Sequence, residues 1–407
     1  MKFNTKLLHG QAVKKYSSGS TLPEIAQVNA FRYDTAEELE KVFANKSPGY
    51  SYSRIANPTV SAFERRINEI EGGYSATACS SGMSAITIAI LNFLSCGDEF
   101  IASSKLYGGS LELFENFRKF GITPRYVNRM TPDNIEPLIN GNTRAIFGEV
   151  LSNPGLEIMD IKKISELAHK NNIPLIVDAT TVTPYLVNPI ALGADIVIHS
   201  TTKYINGSGD ALGGVVIDGA KFEFDFEKFI ALENYKKFGK LAYTIKLKNE
   251  TLENIGCCMA PLSAFLNVIG LETLGLRMER ICENAKALAE ALNEFSYLNV
   301  NYPLLNDNKK LASSQLGGMG GGILTFRANS KERAYKLINA LKYAVKATSI
   351  GDTRTLIIHP ASTIHRDNTQ EQCEAAGVFD DTIRVSVGIE DSKDLIEDFT
   401  DALKKIF

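Results

Sequence analysis

The sequence predicts an α/β protein, with a mostly parallel sheet in its larger part and a smaller α+β part at its C-terminal end. Short apolar runs of strand length alternate with amphipathic runs of helix length between residues 58 and 217. Such alternation is typical of parallel strands joined by crossover helices that cover both faces of the sheet. Beyond residue 258 a long helical stretch is followed by isolated strand and helix patterns, which predicts a second domain.

The composition of the 407-residue chain excludes several classes of protein. Its formal net charge of −3 offers no basic surface for nucleic acid or an acidic membrane. No apolar run reaches membrane-spanning length, and the N-terminus lacks the apolar core of a signal peptide, so we expect a cytoplasmic enzyme. The six cysteines form no CxxC pair and the five histidines are dispersed, so no metal site is predicted.

Residues 1–57 are polar and irregular, and they predict either a disordered tail or an arm that packs on something else. The stretch YSYSRIANPT at 50–59 is unusual for a free tail because aromatic residues surround Arg54. An arginine in an extended segment can present its planar fork to a phosphate. A surface salt bridge is the equally good alternative for Arg54 alone.

Regular structure is predicted from Pro58 onwards. Residues 60–71 have helical apolar spacing and end at Gly72 and Gly73, a C-cap signal. The small residues SSGMS at 80–84 then lead into an apolar helix over 85–94. A helix entered in this way leaves backbone N–H groups free at its N-terminus, which indicates an anion site, with a plain strand–turn–helix connection as the alternative.

The alternation continues to residue 217. Strands are predicted at 99–102, 122–127, 144–149, 175–178, 196–198 and 215–217, and helices at 111–120, 135–139 and 161–168. Ligands bind such sheets outside the carboxyl ends of the strands, which is where Asp178, Ser200 and Lys203 lie. Burial of Lys203 would lower its pKa and yield the nucleophilic amine that forms a Schiff base. A solvated turn lysine and a helix-capping aspartate are the alternatives.

The rest of the chain gives weaker patterns. Residues 221–254 are rich in Lys and Glu and predict exposed helix and loop, whereas 261–292 carry one long helical pattern. Strands are predicted at 322–327 and 382–387, and helices at 331–341 and 391–406. The glycine run at 317–322 precedes a strand, so it predicts a flexible turn and argues against a dinucleotide-binding dehydrogenase. Motifs of P-loop nucleotidases, serine hydrolases and zinc proteases are missing from the sequence.

Taken together, the motifs resemble the Cys/Met-metabolism (γ-) family of pyridoxal-phosphate (PLP) enzymes along nearly the whole chain. The matching segments are YSRIANPT at 52–59, SSGM at 80–83, YGG at 107–109, EVLSNP at 149–154, VDAT at 177–180, HSTTKY at 199–204, IGDTRTLIIHPASTIH at 350–365 and IRVSVGIED at 383–391. The resemblance implies the type I, aspartate aminotransferase-like fold of PLP-dependent transferases, with PLP as cofactor. Two departures, DAT for DNT and STTK for SATK, touch no residue assigned to chemistry.

The resemblance also implies a role for each matching catalytic residue. Lys203 would form the Schiff base with the cofactor and then act as the proton-shuttling base. Asp178 would pair with the pyridine nitrogen and keep it protonated, so that the ring accepts carbanion charge. Tyr107 would stack on the ring, with its hydroxyl as a candidate acid or base near the leaving group.

Binding roles follow from the same resemblance. The cofactor phosphate would be held by the backbone N–H groups of Gly82 and Met83 and the hydroxyls of Ser200 and Thr202. Tyr52 and Arg54 would complete that phosphate site from a neighbouring subunit, which implies a homo-oligomer, a tetramer built from dimers that share active sites. Arg384 would bind the substrate α-carboxylate in a bidentate fork, helped by Asn153 and the backbone near Ser349. The implied units are an arm (1–57), a PLP-binding domain (58–258) and a C-terminal domain (259–407).

Three features resemble the O-acetylhomoserine sulfhydrylases of the family. They are the segment YGGSLELF at 107–114, Gly109 where methionine γ-lyases usually carry cysteine, and a long segment from 222 to 253 followed by APLSAFLNVIGLETLGLRMER. They imply γ-replacement, in which sulfide or methanethiol displaces acetate to give homocysteine or methionine. Methionine γ-lyase and cystathionine γ-synthase are the alternatives within the family, since a fold does not choose the reaction. A non-catalytic binding protein of the same fold is the alternative outside enzymes, and the acyl group is left open.

Overall fold

A computed structural model of the chain describes residues 1–13, 16 and 19–407. Its larger sheet has seven strands in the order β1-β7-β6-β5-β4-β2-β3. They are β1 (Ser75–Cys79), β2 (Glu99–Ser103), β3 (Thr123–Val127), β4 (Thr143–Glu149), β5 (Leu175–Asp178), β6 (Ile196–His199) and β7 (Gly214–Asp218). Strands β2 to β6 pair in parallel, and only β7 is antiparallel to its two neighbours. The predicted mostly parallel sheet is confirmed.

The second sheet has five shorter strands in the order β10-β11-β12-β9-β8. They are β8 (Asn299–Asn301), β9 (Ile323–Arg327), β10 (Val345–Lys346), β11 (Leu356–Ile358) and β12 (Thr382–Ser386). Sequence patterns predicted β9 and β12 but missed the other three. Strands of two or three residues are too short to show alternation, so they carry no pattern to read.

Helices surround both sheets. They are α1 (Phe3–His9), α2 (Ala36–Phe43), α3 (Pro58–Glu71), α4 (Gly82–Leu91), α5 (Gly108–Phe117), α6 (Pro132–Ile135), α7 (Ile161–Lys170), α8 (Thr183–Leu186), α9 (Ala242–Lys246), α10 (Glu253–Ile255), α11 (Pro261–Glu272), α12 (Leu274–Asn293), α13 (Lys309–Gln315), α14 (Lys331–Ala340), α15 (Gln370–Ala375) and α16 (Ser392–Ile406). In the described part of the chain, no helix combines the length and apolarity that crossing a membrane requires.

The core lies on both faces of the larger sheet, because successive residues of a strand point to opposite faces. In β4 the neighbours Ile146 and Phe147 belong to different apolar clusters, as do Val177 and Ile176 in β5. These residues are fully buried. The continuous apolar runs in the sequence therefore reflect strands that are covered on both sides, as the α/β class requires.

Helix α3 shows how local sequence fixes an element beside the site. Asn57 caps its N-terminus by accepting a hydrogen bond from the Thr59 N–H at 3.0 Å, and Pro58 occupies the first turn. The helix ends at Gly72, whose φ of 74° is the left-handed conformation that favours glycine. The predicted start and stop signals are both confirmed.

Two predictions for the middle of the chain are wrong in part. The stretch 221–254 was expected to be exposed, but Phe224, Phe229 and Tyr243 are buried there. These rings pack around Phe93, which follows helix α4, while the intervening Lys and Glu residues give the stretch its polar character. The predicted long helix over 261–292 is two helices that meet at Thr273, where Arg277 donates across the break to the Gly270 carbonyl at 2.7 Å.

The N-terminal residues are more ordered than their composition indicated. Helix α1 packs on the chain's own body, with Leu7 buried and Asn4 so close to Gly275 that a Cβ there would lie 1.8 Å from Asn4 Oδ1. Helix α2 is capped by Thr35, which accepts from the Glu38 N–H at 3.2 Å. Helix α1 is therefore packed structure on the body of its own chain and not a free tail.

Candidate active site

A cavity of about 200 Å³ lies at the carboxyl ends of β4, β5 and β6, facing residues of the second sheet. Most of the predicted site residues line it: Gly82, Met83, Tyr107, Asn153, Asp178, Ser200, Thr202, Lys203 and Arg384. It opens past Tyr107 and Lys203 into a wider mouth of about 970 Å³, which Ser349 also borders. Segments that are far apart in sequence thus meet where parallel sheets bind their ligands.

Lys203 lies in the turn that follows β6. Its Nζ donates a hydrogen bond to Ser349 Oγ at 3.1 Å. Burial lowers the pKa of Lys203 from its ordinary value, and the positive charge of Arg384 lowers it further. The amine is therefore more readily available in its neutral, nucleophilic form than an ordinary surface lysine.

Asp178 closes strand β5 and is held by the backbone N–H of Thr180, which donates to its Oδ1 at 2.9 Å. Burial raises the pKa of this carboxyl group, against the lowering effect of Thr180. Glu149 stands directly beside it in the register of β4 and β5. Two neighbouring buried carboxyl groups favour a cationic partner, and the protonated ring nitrogen of PLP is such a partner.

The N-terminus of helix α4 forms a close backbone cradle. Ser81 caps the helix by accepting from the Ser84 N–H at 3.1 Å. A Cβ atom at Gly82 would lie 2.5 Å from Cβ of Ser200, and one at Gly214 would lie 2.0 Å from the Ser81 carbonyl oxygen. Glycine is therefore required at positions 82 and 214, where the backbone segments lie very close together. The free N–H groups at the helix start suit the phosphate of PLP.

The hydroxyl of Thr202 also borders this cradle. It accepts from the Gly213 N–H at 3.0 Å and donates to the Gly213 carbonyl at 3.2 Å. Ser200 is fixed by its backbone N–H, which donates to Thr180 Oγ1 at 2.8 Å. The backbone thus leaves the Ser200 side chain facing the N-terminus of α4.

Arg384 is a buried guanidinium on strand β12. It donates to the carbonyl oxygens of Thr348 and Ser349 at 3.3 and 3.0 Å and to Asn153 Oδ1 at 3.3 Å. Burial lowers its pKa to about 10. Within the described part of the chain its Nε has no partner. A buried cation with a spare donor is well suited to bind a carboxylate.

Tyr107 and the N-terminal motif differ in their relation to the cavity. Tyr107 borders both the cavity and the mouth, and its ring remains 39% exposed. Tyr52 and Arg54 do not line the cavity of their own chain; Arg54 lies over the Tyr52 ring and donates to the Glu253 carbonyl at 2.7 Å. Tyr52 and Arg54 therefore lie outside the cavity of their own subunit.

Glu149 lines the cavity wall, and the sequence patterns did not identify it as a site residue. Glu149 accepts hydrogen bonds from the backbone N–H groups of Tyr107 and Asn153. Burial raises its pKa, and the negative charge of Asp178 adds to this effect. The signal was present, because Glu149 closes an apolar strand in the same way as Asp178, but only Asp178 was read as a site residue.

These residues place a buried amine, a buried carboxyl group, a helix N-terminus and a buried arginine around one cavity. On this fold, the set defines a PLP-dependent enzyme of the α/β class. The sequence matches the model of the "Cys/Met metabolism PLP-dependent enzyme" family over residues 4–404. The chain therefore belongs to this family, and the predicted family, fold and cofactor are confirmed.

Comparisons with individual proteins agree with this assignment. The chain is 39% identical to O-acetyl-L-homoserine sulfhydrylase of Corynebacterium glutamicum, covering 97% of this chain and 95% of that one. It is 37% identical to L-methionine gamma-lyase of Fusobacterium nucleatum subsp. polymorphum, covering 99% and 98%. A crystal structure from Campylobacter jejuni, assigned as an O-acetylhomoserine (thiol)-lyase and holding N'-pyridoxyl-lysine-5'-monophosphate, matches with a TM-score of 0.94 and 34% identity over 99% and 100% of the two chains.

Proposed function

We propose that this chain catalyses γ-replacement on O-acetyl-L-homoserine, with sulfide or methanethiol as the entering group and homocysteine or methionine as the product. The observation that carries the proposal is the similarity to O-acetyl-L-homoserine sulfhydrylase over nearly the full length of both chains. The cavity is consistent with it. The carboxylate-binding Arg384 and the base Lys203 lie inside, and the mouth of about 970 Å³ has room for an acyl leaving group and a thiol.

The proposed roles begin with substrate binding. Arg384 and Asn153 bind the α-carboxylate, and the Ser349 region supplies further backbone contact. Because Arg384 is already tied to two carbonyl oxygens and to Asn153, its guanidinium is oriented before the substrate arrives. Such preorganisation lowers the entropic cost of placing Cα beside the base.

Proton transfer is assigned to two groups. Burial makes the neutral form of Lys203 Nζ more readily available. This amine takes the proton from Cα and then acts as the base that removes a proton from Cβ. Tyr107, at the boundary between cavity and mouth, presents its hydroxyl near the position of the leaving group. When bound, PLP supplies the electron sink for the negative charge that forms on the substrate. Asp178 keeps the ring nitrogen protonated, and Gly82, Met83, Ser200 and Thr202 hold the phosphate.

The proposal includes an assembly. Among the described residues lining the cavity, only Lys203 and Arg384 are cationic, and neither is assigned to the phosphate. Tyr52 and Arg54 of a neighbouring subunit supply the missing cation, in a dimer that shares its active sites and pairs into a tetramer. The proposed units are the arm (1–57), the PLP-binding domain (58–258) and the C-terminal domain (259–407), and the proposed location is the cytoplasm.

The test supplies the PLP-loaded protein with O-acetyl-L-homoserine and sulfide. We expect homocysteine and acetate in equal amounts, and methionine when methanethiol replaces sulfide. O-succinyl- and O-phosphohomoserine, offered in parallel, define the acyl preference. The variant Lys203→Ala serves as the control for reaction without the enzyme.

Methionine γ-lyase is the second candidate, because one relative of similar identity carries that activity in its name. That reaction releases 2-oxobutanoate, ammonia and a thiol. Rapid release of 2-oxobutanoate from methionine, with little homocysteine from O-acetyl-L-homoserine and sulfide, would transfer the assignment to the lyase.

A further inference from the structure

We propose that Glu149 is a positioning residue that fixes the spacing between Tyr107 and the carboxylate-binding pair Asn153–Arg384. The inference deepens the proposed function, because it concerns how the same cavity holds the two ends of an amino-acid substrate. It concerns a carboxyl group that touches neither the reacting atoms nor the substrate in the roles assigned above.

The contacts of Glu149 define this role. Its Oε1 accepts from the backbone N–H of Tyr107 at 2.8 Å, and its Oε2 accepts from the backbone N–H of Asn153 at 3.3 Å. Each carboxylate oxygen is thus aimed at a different segment of the cavity wall. Hydrogen bonds from two backbone N–H groups to one buried side chain restrict the position of both segments.

The two segments differ in what they carry. Tyr107 precedes helix α5 and borders the mouth, which is where the proposed function places the leaving group. Asn153 follows β4 and accepts a hydrogen bond from Arg384 at 3.3 Å. Arg384 in turn donates to the carbonyl of Ser349, whose hydroxyl accepts from Lys203 Nζ. A continuous set of hydrogen bonds therefore joins Tyr107 to Lys203, and Glu149 is its only link to Tyr107 among the contacts of the described residues.

The place of Glu149 is also electrostatically costly. It is 8% exposed and stands beside Asp178 in the β4–β5 register, so two buried carboxyl groups repel each other. A neutral side chain at this position would avoid the repulsion. The backbone hydrogen bonds to Tyr107 and Asn153 are the compensating interactions that the structure shows.

A small second cavity provides space into which residue 149 can move when its hydrogen bonds to Tyr107 and Asn153 are lost. This cavity of about 80 Å³ lies on the far side of Glu149, which lines both it and the main cavity. The wall between the two spaces is therefore thin at this point. Without the two hydrogen bonds of Glu149, the wall and the Tyr107 backbone can shift into the small cavity. This shift would move the tyrosine away from the position proposed for the leaving group.

The experiment compares Glu149→Gln with wild type in the PLP-loaded enzyme. Glutamine keeps the volume, but one of its two ends becomes an NH₂ group that cannot accept from a backbone N–H. We expect kcat/KM for O-acetyl-L-homoserine to fall roughly 10- to 100-fold, the cost of misplacing a reacting group by about 1 Å. The matched control is Glu157→Gln, a carboxylate that lines the same small cavity but pairs with Lys105 and Arg129 at the surface. It should leave kcat and KM unchanged.

A double-mutant cycle separates positioning from a general structural role. If Glu149 acts by placing Tyr107, the kcat effect of Glu149→Gln should shrink to less than about three-fold in a Tyr107→Ala background, because the placed group is already gone. Additive effects on kcat would overturn the proposal. So would a Glu149→Gln protein that loses only thermal stability or cofactor content, with kcat and KM per loaded site unchanged.

A second readout keeps this test independent of the reaction assigned above. Exchange of the Cα proton of L-alanine in D₂O needs the cofactor, Lys203 and the carboxylate site, whatever group leaves Cγ. If wild type exchanges this proton but makes no homocysteine, the proposed function fails. The effect of Glu149→Gln on the apparent KM of exchange then still tests whether Glu149 positions Asn153. If Glu149→Gln is insoluble, Glu149→Asp, which cannot reach both N–H groups, replaces it; insolubility of both variants would assign Glu149 to folding and overturn the proposal.

Discussion

The cradle at the N-terminus of helix α4 can be tested by adding a single methyl group. In Gly82→Ala, the new Cβ would lie 2.5 Å from Cβ and 3.0 Å from Cα of Ser200. The obstructing atoms include the backbone of Ser200, so a side-chain rotation cannot relieve the contact. The helix N-terminus and the Ser200 turn must therefore separate by several tenths of an ångström.

The size of the effect follows from what lies on the two sides of that contact. The N–H groups of Gly82 and Met83 are on one side and the Ser200 hydroxyl is on the other, and the proposed phosphate site needs both. Losing one hydrogen bond to a charged group costs about 1.5–3 kcal/mol. Since 1.4 kcal/mol is a factor of ten, we expect PLP to bind roughly 10- to 100-fold more weakly.

The assay is a titration of the apoprotein with PLP, followed by absorbance, for wild type and Gly82→Ala. Gly141→Ala is the matched control, because a Cβ atom there meets nothing within 4 Å and its φ is not in the left-handed region. Equal PLP affinity for wild type and Gly82→Ala would refute the placement of the phosphate at this helix. A loss of folding without loss of affinity per folded molecule would refute it as well.

Three further outcomes can be checked. Burial lowers the pKa of Lys203 in the folded apoprotein. At pH values between that lowered pKa and about 10.4, the unfolded chain binds more protons than the folded chain, so the stability of the fold rises with pH in this window. Lys203→Met should therefore be more stable than wild-type apoprotein at pH 7, with a difference that shrinks by pH 10; an unchanged difference in urea unfolding would contradict this. Arg384→Lys keeps the charge but loses the planar fork, so KM for the amino-acid substrate should rise roughly 10- to 100-fold with a smaller change in kcat; a change in kcat alone would contradict the carboxylate role. Mixing Arg54→Ala and Lys203→Met subunits, each inactive alone, should restore about a quarter of wild-type activity, because half of random dimers carry one intact shared site; no recovery after confirmed subunit exchange would argue against the shared site.

The larger sheet was predictable because its strands are buried on both faces. The central strands β4, β5 and β6 are therefore apolar runs, and they end at Glu149, Asp178 and His199. The periodicity of α3, with its proline start and glycine stop, was equally clear. These signals are local, so one segment of sequence is enough to read them.

What the sequence could not show depends on contacts between distant segments. The burial of Phe224 and Phe229 could not be predicted because charged residues surround them in the sequence. Their packing on Phe93 shows that they belong to the core. The break between α11 and α12 lies at Thr273, and Arg277 reaches across it to the carbonyl of Gly270, seven residues earlier. Glu149 closes its strand as Asp178 does, but the sequence does not show that it accepts from the backbone N–H groups of Tyr107 and Asn153.

The long-range hydrogen bonds of the cavity have a consequence for the order of folding. Lys203 and Ser349 are 146 residues apart in the chain, and Asn153 and Arg384 are 231 apart. Contacts of such separation form slowly, and the N-terminal part of a protein is synthesised first. Strand β12 must leave the ribosome and pair with β9 and β11 before Arg384 reaches its place in the cavity. Lys203 therefore acquires its lowered pKa, which burial and the charge of Arg384 produce, only after the C-terminal part of the chain has folded and brought Arg384 close to it.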